Sequence, residues 1–287
     1  MFRLSRLGLA ATLAFFLAVV PARAVIVGSS YQTTEPTNSN ITNWESGWGA
    51  SGITGWDYVG YAGDASGVYL GNGWVLTADH VDITNLTYVL GGVTYQIIAS
   101  SVVSLSGSTA DLSLFQITST TASLPNLPSL TISSTAPVVN QTKVVMIGYG
   151  NSGTKVESWG MNVVTGINQS VAIDQTSWVT TDFTTTLGKV GNYTNSAKLI
   201  DGDSGGAAFA YNSATGTWEL MGILEAVAGN TSYIMQLSEY RSLILSTVPE
   251  PSVWSMIIAS GLVIVTLGHA RRNRALGVPT TDRNSGY

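Results

Sequence analysis

The sequence contains no cysteine. This excludes disulfide cross-links, thiolate metal sites and thiol catalysis, so packing and hydrogen bonds alone must hold the fold. Charge is also scarce, at 10% of residues, while Ser, Thr, Asn and Gly abound; that balance suits an extracytoplasmic β-rich protein better than a helical cytosolic one. Positive charge is scarcest in the middle. Between Val25 and Val248 there are five basic residues against fifteen acidic ones, a net of −10, which excludes nucleic acid as a partner because phosphate binding needs clustered Lys and Arg. No long segment before residue 230 carries a 3.6-residue apolar period, so helix is minor. The 287 residues suffice for one large β domain or two smaller ones.

The two ends differ from the middle. Residues 1–24 have a basic start at Arg3 and Arg6, an apolar run from Leu7 to Val20 and a small-x-small site at Ala22-Arg23-Ala24, the pattern of a cleaved secretory signal. At the other end, Val248-Pro249-Glu250-Pro251 precedes an apolar run from Val253 to Leu267, followed by Arg271, Arg272 and Arg274. The arginines put the C-terminal end of such a transmembrane segment in the cytoplasm. Pro-Glu-Pro, hydrophobic segment and arginine cluster together resemble the PEP-CTERM sorting signal. The resemblance implies a Gram-negative source, an exosortase-type enzyme as partner, at least transient contact with the inner membrane, and release to the cell surface or matrix. A plain C-terminal anchor is the alternative, and 275–287 form a further tail.

Between the ends, 25–55 read as an N-terminal extension with Trp44 and Trp48, and 56–247 as the main domain. Short strands are expected through Trp56–Tyr61, Gly67–Leu70, Trp74–Thr77, Leu86–Leu90, Thr94–Ile98 and Leu112–Ile117. Gly71-Asn72-Gly73 is a hairpin signal, since Asn-Gly suits a type I′ turn. Ser123–Pro137, with three prolines, is the natural linker. Further strands follow over Lys143–Gly148, Met161–Gly166, Trp178–Thr181, Gly206–Tyr211 and Trp218–Glu225, then a short helix over Ser238–Leu245 with Ser238 as its cap. The expected fold is all-β: two antiparallel six-stranded β-barrels, about 56–122 and 138–247, with a short C-terminal helix.

Chemistry concentrates in Asp201-Gly202-Asp203-Ser204-Gly205-Gly206. A serine on a glycine turn offers a hydroxyl for attack and backbone N–H groups for a developing oxyanion, although a polar turn between strands has the same composition. His80, in Thr77-Ala78-Asp79-His80, is the only histidine outside the leader and tail, and so the one candidate for a general base near neutral pH. Asp111 opens Asp111-Leu112-Ser113-Leu114. The loop around Ser204, the Thr-Ala-x-His segment and the Asp-before-strand segment resemble those of the chymotrypsin/trypsin-like serine proteases, and the order His80, Asp111, Ser204 is that family's order.

The resemblance implies a Ser-His-Asp triad at the meeting of two barrels, an oxyanion hole from the N–H groups of Gly202 and Ser204, a peptide or protein substrate, and neither cofactor nor metal. Asp79 replaces a small residue of the family, and its carboxylate is expected to act on the imidazole. Lys198 falls at the expected pocket floor, with Glu225 and Val227 on a wall where the family has small residues. A lysine there suits an acidic side chain, but it can equally pair with Glu225 or face solvent. Val25-Ile26-Val27-Gly28 resembles the family's activated terminus, Ile26 matching its isoleucine one residue out of step with the cleavage site. This implies that a freed amine pairs with Asp203, against the alternative of a plain leading strand. The chain is therefore expected to be an exported serine endopeptidase. A catalytically silent binding or matrix module and an esterase on the same triad are the alternatives.

Overall fold

A computed structural model of the chain describes residues 24–27, 41–105, 110–150, 155–173, 178–188 and 196–248. The sorting segment past Val248, the tail, His269 and all of the leader before Ala24 lie outside the described residues. Among those described, no helix is long and apolar enough to cross a membrane.

The strands run in chain order as β1 (Ile26–Val27), β2 (Val59–Ala62), β3 (Ala65–Gly71), β4 (Trp74–Thr77), β5 (Thr87–Leu90), β6 (Val93–Ile97), β7 (Val103–Ser104) and β8 (Ser113–Thr118). After the linker come β9 (Lys143–Gly148), β10 (Ser158–Ala172), β11 (Val179–Thr186), β12 (Ala197–Lys198), β13 (Ala207–Asn212), β14 (Thr217–Ala228) and β15 (Thr231–Gln236), and helix α1 (Leu237–Thr247) closes the domain. In the first half, β4-β3-β2-β5-β6-β8 are neighbours in that order and β4 pairs again with β8, closing a six-stranded barrel to which β7 adds along β8. In the second half, β10-β11-β15-β14-β13-β9 form a closed barrel. Every pairing between these strands is antiparallel, as hairpin-connected strands require. Closure removes the unpaired edges that an open sheet exposes.

Local chemistry explains most boundaries. Asn72 and Gly73 both take positive φ, 52° and 83°, the type I′ signature that joins β3 to β4. The expected first strand starts late: Gly55–Tyr58 is a 3-10 turn, because Asp57 accepts the Thr54 N–H at 2.8 Å and returns its own N–H to Thr54 O at 3.1 Å. Helix α1 starts at Leu237 behind Gln236, so Ser238 is not its cap. The amide of Gln236 is drawn instead to Asn168 Oδ1 and Glu239 Oε1.

The extension is part of the core. Trp44 is 1% exposed and Trp48 4%. Trp44 packs edge-on to Trp218 at 4.8 Å and lies 5.0 Å from Trp56, while Trp48 stacks flat on Trp218 at 5.5 Å. Trp56 in turn meets Trp159 of β10 at 5.6 Å. This cluster belongs to one continuous core that reaches into both barrels, and it is fastened by Trp48 Nε1 to Trp44 O at 2.7 Å and by Trp218 Nε1 to Asn43 O at 3.0 Å. Large buried aromatics thus provide cohesion where cross-links are lacking. Truncating one leaves a cavity that cannot collapse, so W48A is expected to lower unfolding free energy by about 3–5 kcal/mol, read from urea titrations; a loss under about 1 kcal/mol contradicts the role of the cluster.

Candidate active site

Three of the residues singled out from sequence, His80, Asp111 and Ser204, lie at the seam of the barrels. His80 follows β4 and Asp111 precedes β8, and those strands are paired from Thr77↔Ser113 onward. Register therefore brings the two side chains together. Asp111 has no exposed surface, and its carboxylate takes the backbone N–H of His80 on Oδ1 at 2.7 Å and the ring on Oδ2, with Nδ1 at 2.5 Å. A carboxylate accepts only, so Nδ1 carries the ring proton and Nε2 is left as a base. The His80 side chain keeps 28% of its surface exposed, open to a substrate.

Ser204 comes from the second barrel, on the loop before β13. Ser66 N–H of β3 bonds Ser204 O at 2.9 Å and Tyr149 N–H bonds Ser66 Oγ at 2.9 Å, tying the loop across the seam. Gly205, at φ 84°, is what lets the strands come so close: a Cβ there would sit 2.1 Å from Ser66 O and 2.2 Å from Thr77 Oγ1. Gly202, at φ 88°, turns the chain just before the serine. Among the described residues, neither Gly202 N–H nor Ser204 N–H is taken by a hydrogen bond, whereas Asp203 N–H is taken by Ile200 O at 3.2 Å. Two adjacent free donors beside a hydroxyl are what an oxyanion requires. The hydroxyl itself donates to Glu225 O at 3.1 Å, and among the described residues no hydrogen bond joins it to His80.

His80, Gly202 and Ser204 line one cleft of about 1090 Å³, together with Val227 and Tyr233. A model of the trypsin-like peptidase domain matches residues 65–223, more than half of the chain. The chain belongs to the trypsin-like peptidase domain family. No curated protein matches it. Among solved structures, that of the Rv3671c protease in an inactive form aligns at 16% identity with a TM-score of 0.50, covering 77% of this chain and 100% of that one. An inactive serine-to-alanine mutant of Rv3671c from M. tuberculosis H37Rv aligns at 15% identity with a TM-score of 0.50, over 78% and 100%. At such identities the likeness is one of fold.

This trypsin-like peptidase departs from sequence expectation in several places. Lys198 is not a pocket floor: its Nζ bonds Gly229 O at 2.6 Å and Asn230 Oδ1 at 3.4 Å, and it does not line the cleft. Pairing of β12 with β1 fixes that direction, which counting back from the serine cannot reveal. Val227 does line the cleft. Glu225 borders it too, but its Oε2 accepts from the buried Thr180 hydroxyl at 3.1 Å. Asp79 accepts from Ser104 Oγ at 2.5 Å, which engages it with β7. Asp182, buried on β11, was missed; a lone acid inside the otherwise uncharged run Val179–Thr186 is the signal that could have found it.

Asp203 is fully buried, and its Oδ2 accepts the N–H of Val25 at 3.0 Å and of Ile200 at 2.9 Å. The partner is therefore Val25, one residue before Ile26, which lies instead in β1 opposite Lys198. Val25 takes φ 28°, a conformation that strains a β-branched residue. Burial raises the Asp203 carboxyl to about 7, with the backbone N–H groups of Ile200, Val25 and Gly150 pulling the other way. A carboxyl raised by folding stabilises the fold fully below its unfolded value, and that contribution is lost as pH climbs through the folded one. In the unprocessed chain, D203N is thus expected to flatten the decline of unfolding free energy between about pH 4 and pH 7, followed by urea titration at several pH values; an unchanged slope contradicts it.

Proposed function

We propose that this peptidase is an exported serine endopeptidase in which Ser204 is the nucleophile, His80 the general base and then acid, and Asp111 the group that orients the imidazole. The observation that carries this reading is the two-point hold of Asp111 on His80, with Ser204 in the same cleft. Ser204 Oγ turns from Glu225 O, gives its proton to Nε2 of His80 and attacks the peptide carbonyl. The oxyanion is received by Gly202 N–H and Ser204 N–H; the protonated ring then hands its proton to the departing amine, leaving an acyl-serine that water hydrolyses with His80 again as base.

Cleavage after Ala24 is the activating step. It converts the Val25 nitrogen, already 3.0 Å from Asp203 Oδ2, from an amide into an ammonium. A charge-assisted bond replaces a neutral one, and the strained φ is released because no residue precedes it. The leader and the PEP-CTERM-like tail fit passage across the inner membrane and handling by an exosortase-type enzyme, with the product held at the membrane or released to the surface or matrix. A silent binding module draws support from one feature, the hydroxyl of Ser204 resting on Glu225 O.

A fluorophosphonate separates the two. The processed chain is expected to take up one equivalent on Ser204, seen by mass spectrometry of the labelled peptide, and S204A none; no uptake by the processed chain favours the module. D111N, which leaves the ring in the wrong tautomer, is expected to lower kcat on a cleaved peptide about 10³–10⁴-fold, and a fall under about tenfold contradicts the role given to Asp111.

A further inference from the structure

Two buried carboxyl groups have no part in the steps above. Asp182 on β11 has no exposed surface, and Glu225, at the irregularity of β14 between Leu224 and Ala226, has 3%. They face one another, and both feel the charge of Asp111. The Thr180 hydroxyl donates to Glu225 Oε2 at 3.1 Å and also lies by Asp182, and no other N–H or O–H among the described residues reaches the two carboxyl groups. Neither forms an ion pair with Lys or Arg among the described residues. The other titratable groups facing them are Tyr240 of α1, whose hydroxyl accepts Thr181 N–H at 2.7 Å, and His80 beyond Asp111.

Two anions in contact, buried and without a cation among the described residues, repel too strongly for both to persist. A single proton between them removes one charge and supplies the missing donor, as in other paired carboxyls. Burial and the charges of Asp182 and Asp111 push Glu225 far up, so the pair retains that proton. One negative charge then remains, adding to that of Asp111. Glu225 is also the residue whose carbonyl holds the Ser204 hydroxyl, so whatever fixes its side chain fixes that carbonyl.

We propose that Asp182 and Glu225 share one proton as a positioning pair, and that the single negative charge they retain favours the protonated His80 ring formed when Ser204 attacks. This rests on the reading of His80, Asp111 and Ser204 as a triad. Glu225, where the family has a small residue, thereby tunes the base from behind.

The test is the rate of Ser204 labelling by a fluorophosphonate as a function of pH, on the processed chain and its variants, with the His80 ring followed by ¹⁵N NMR in parallel and H269Q used to assign it. D182N removes the charge, so the acid limb and the ring titration both move down by about half to one pH unit, with a slower plateau. E225Q keeps a donor that cannot ionise and loses any alkaline decline, whereas E225A, lacking the donor, labels at least about tenfold more slowly than E225Q at neutral pH. Profiles of D182N and E225Q that overlay the parent overturn the pair. If the parent itself takes no label, the triad reading fails by that result, and the ring titration alone then decides the pair: a downward shift in D182N upholds it and no shift overturns it.

Discussion

A carboxyl group shut away from water must find a proton or a set of donors, and four acids among the described residues are so placed: Asp111, Asp182, Asp203 and Glu225. Desolvating an unpaired carboxylate is costly enough to unfold a domain of ordinary stability, so the backbone is arranged around these groups. Asp111 is met by the N–H and ring of residue 80, and Asp203 by the N–H groups of Val25 and Ile200. Asp182 and Glu225 have only one hydroxyl between them and are left to satisfy each other. Each solution fixes a different part of the site: the ring of His80, the loop that carries Ser204, and the carbonyl on which the Ser204 hydroxyl rests.

The barrels supply the rigidity that such arrangements need. Neither β4 nor β8 has a free edge, and their register delivers His80 and Asp111 from one sheet. The second barrel delivers Ser204 and is kept close by the bonds that the backbone and side chain of Ser66 make across the seam, an approach that glycine at 205 permits. Behind the seam, the tryptophans of the extension join both halves into one core. Residues 41–55 are thus structural although they form no strand.

Much of this was legible in the sequence, for identifiable reasons. Alternating β-branched and aromatic runs marked most strands, and Asn72-Gly73 fixed one hairpin through backbone sterics alone. His80, Asp111 and Ser204 stood out because each chemistry-bearing residue type is rare or sits in a distinctive local setting: one histidine in the domain, one serine among glycines. What escaped depended on long-range contact. The direction of Lys198 is set by β1, more than 170 positions away. The burial of Trp44 follows from Trp218 and Phe209, and Ser238 looked like a cap only because the pull of Asn168 on Gln236 is invisible in a linear chain. The backbone N–H on Asp203 is that of Val25 and not of Ile26, since the two residues are chemically alike and only the pairing of β1 with β12 sets the register.

At the centre stands a conditional arrangement: His80 is held by Asp111 while the Ser204 hydroxyl rests on Glu225 O, and the proposed reaction requires that hydroxyl to leave Glu225 for His80. A crystal structure of the processed chain with a peptide boronic acid addresses this most directly. The account predicts a bond from boron to Ser204 Oγ, one boronate oxygen between the N–H groups of Gly202 and Ser204, another facing Nε2 of His80, and the Val25 ammonium on Asp203. An unmodified Ser204 still bonded to Glu225 O at saturating boronate, or an adduct on any other residue, would contradict it.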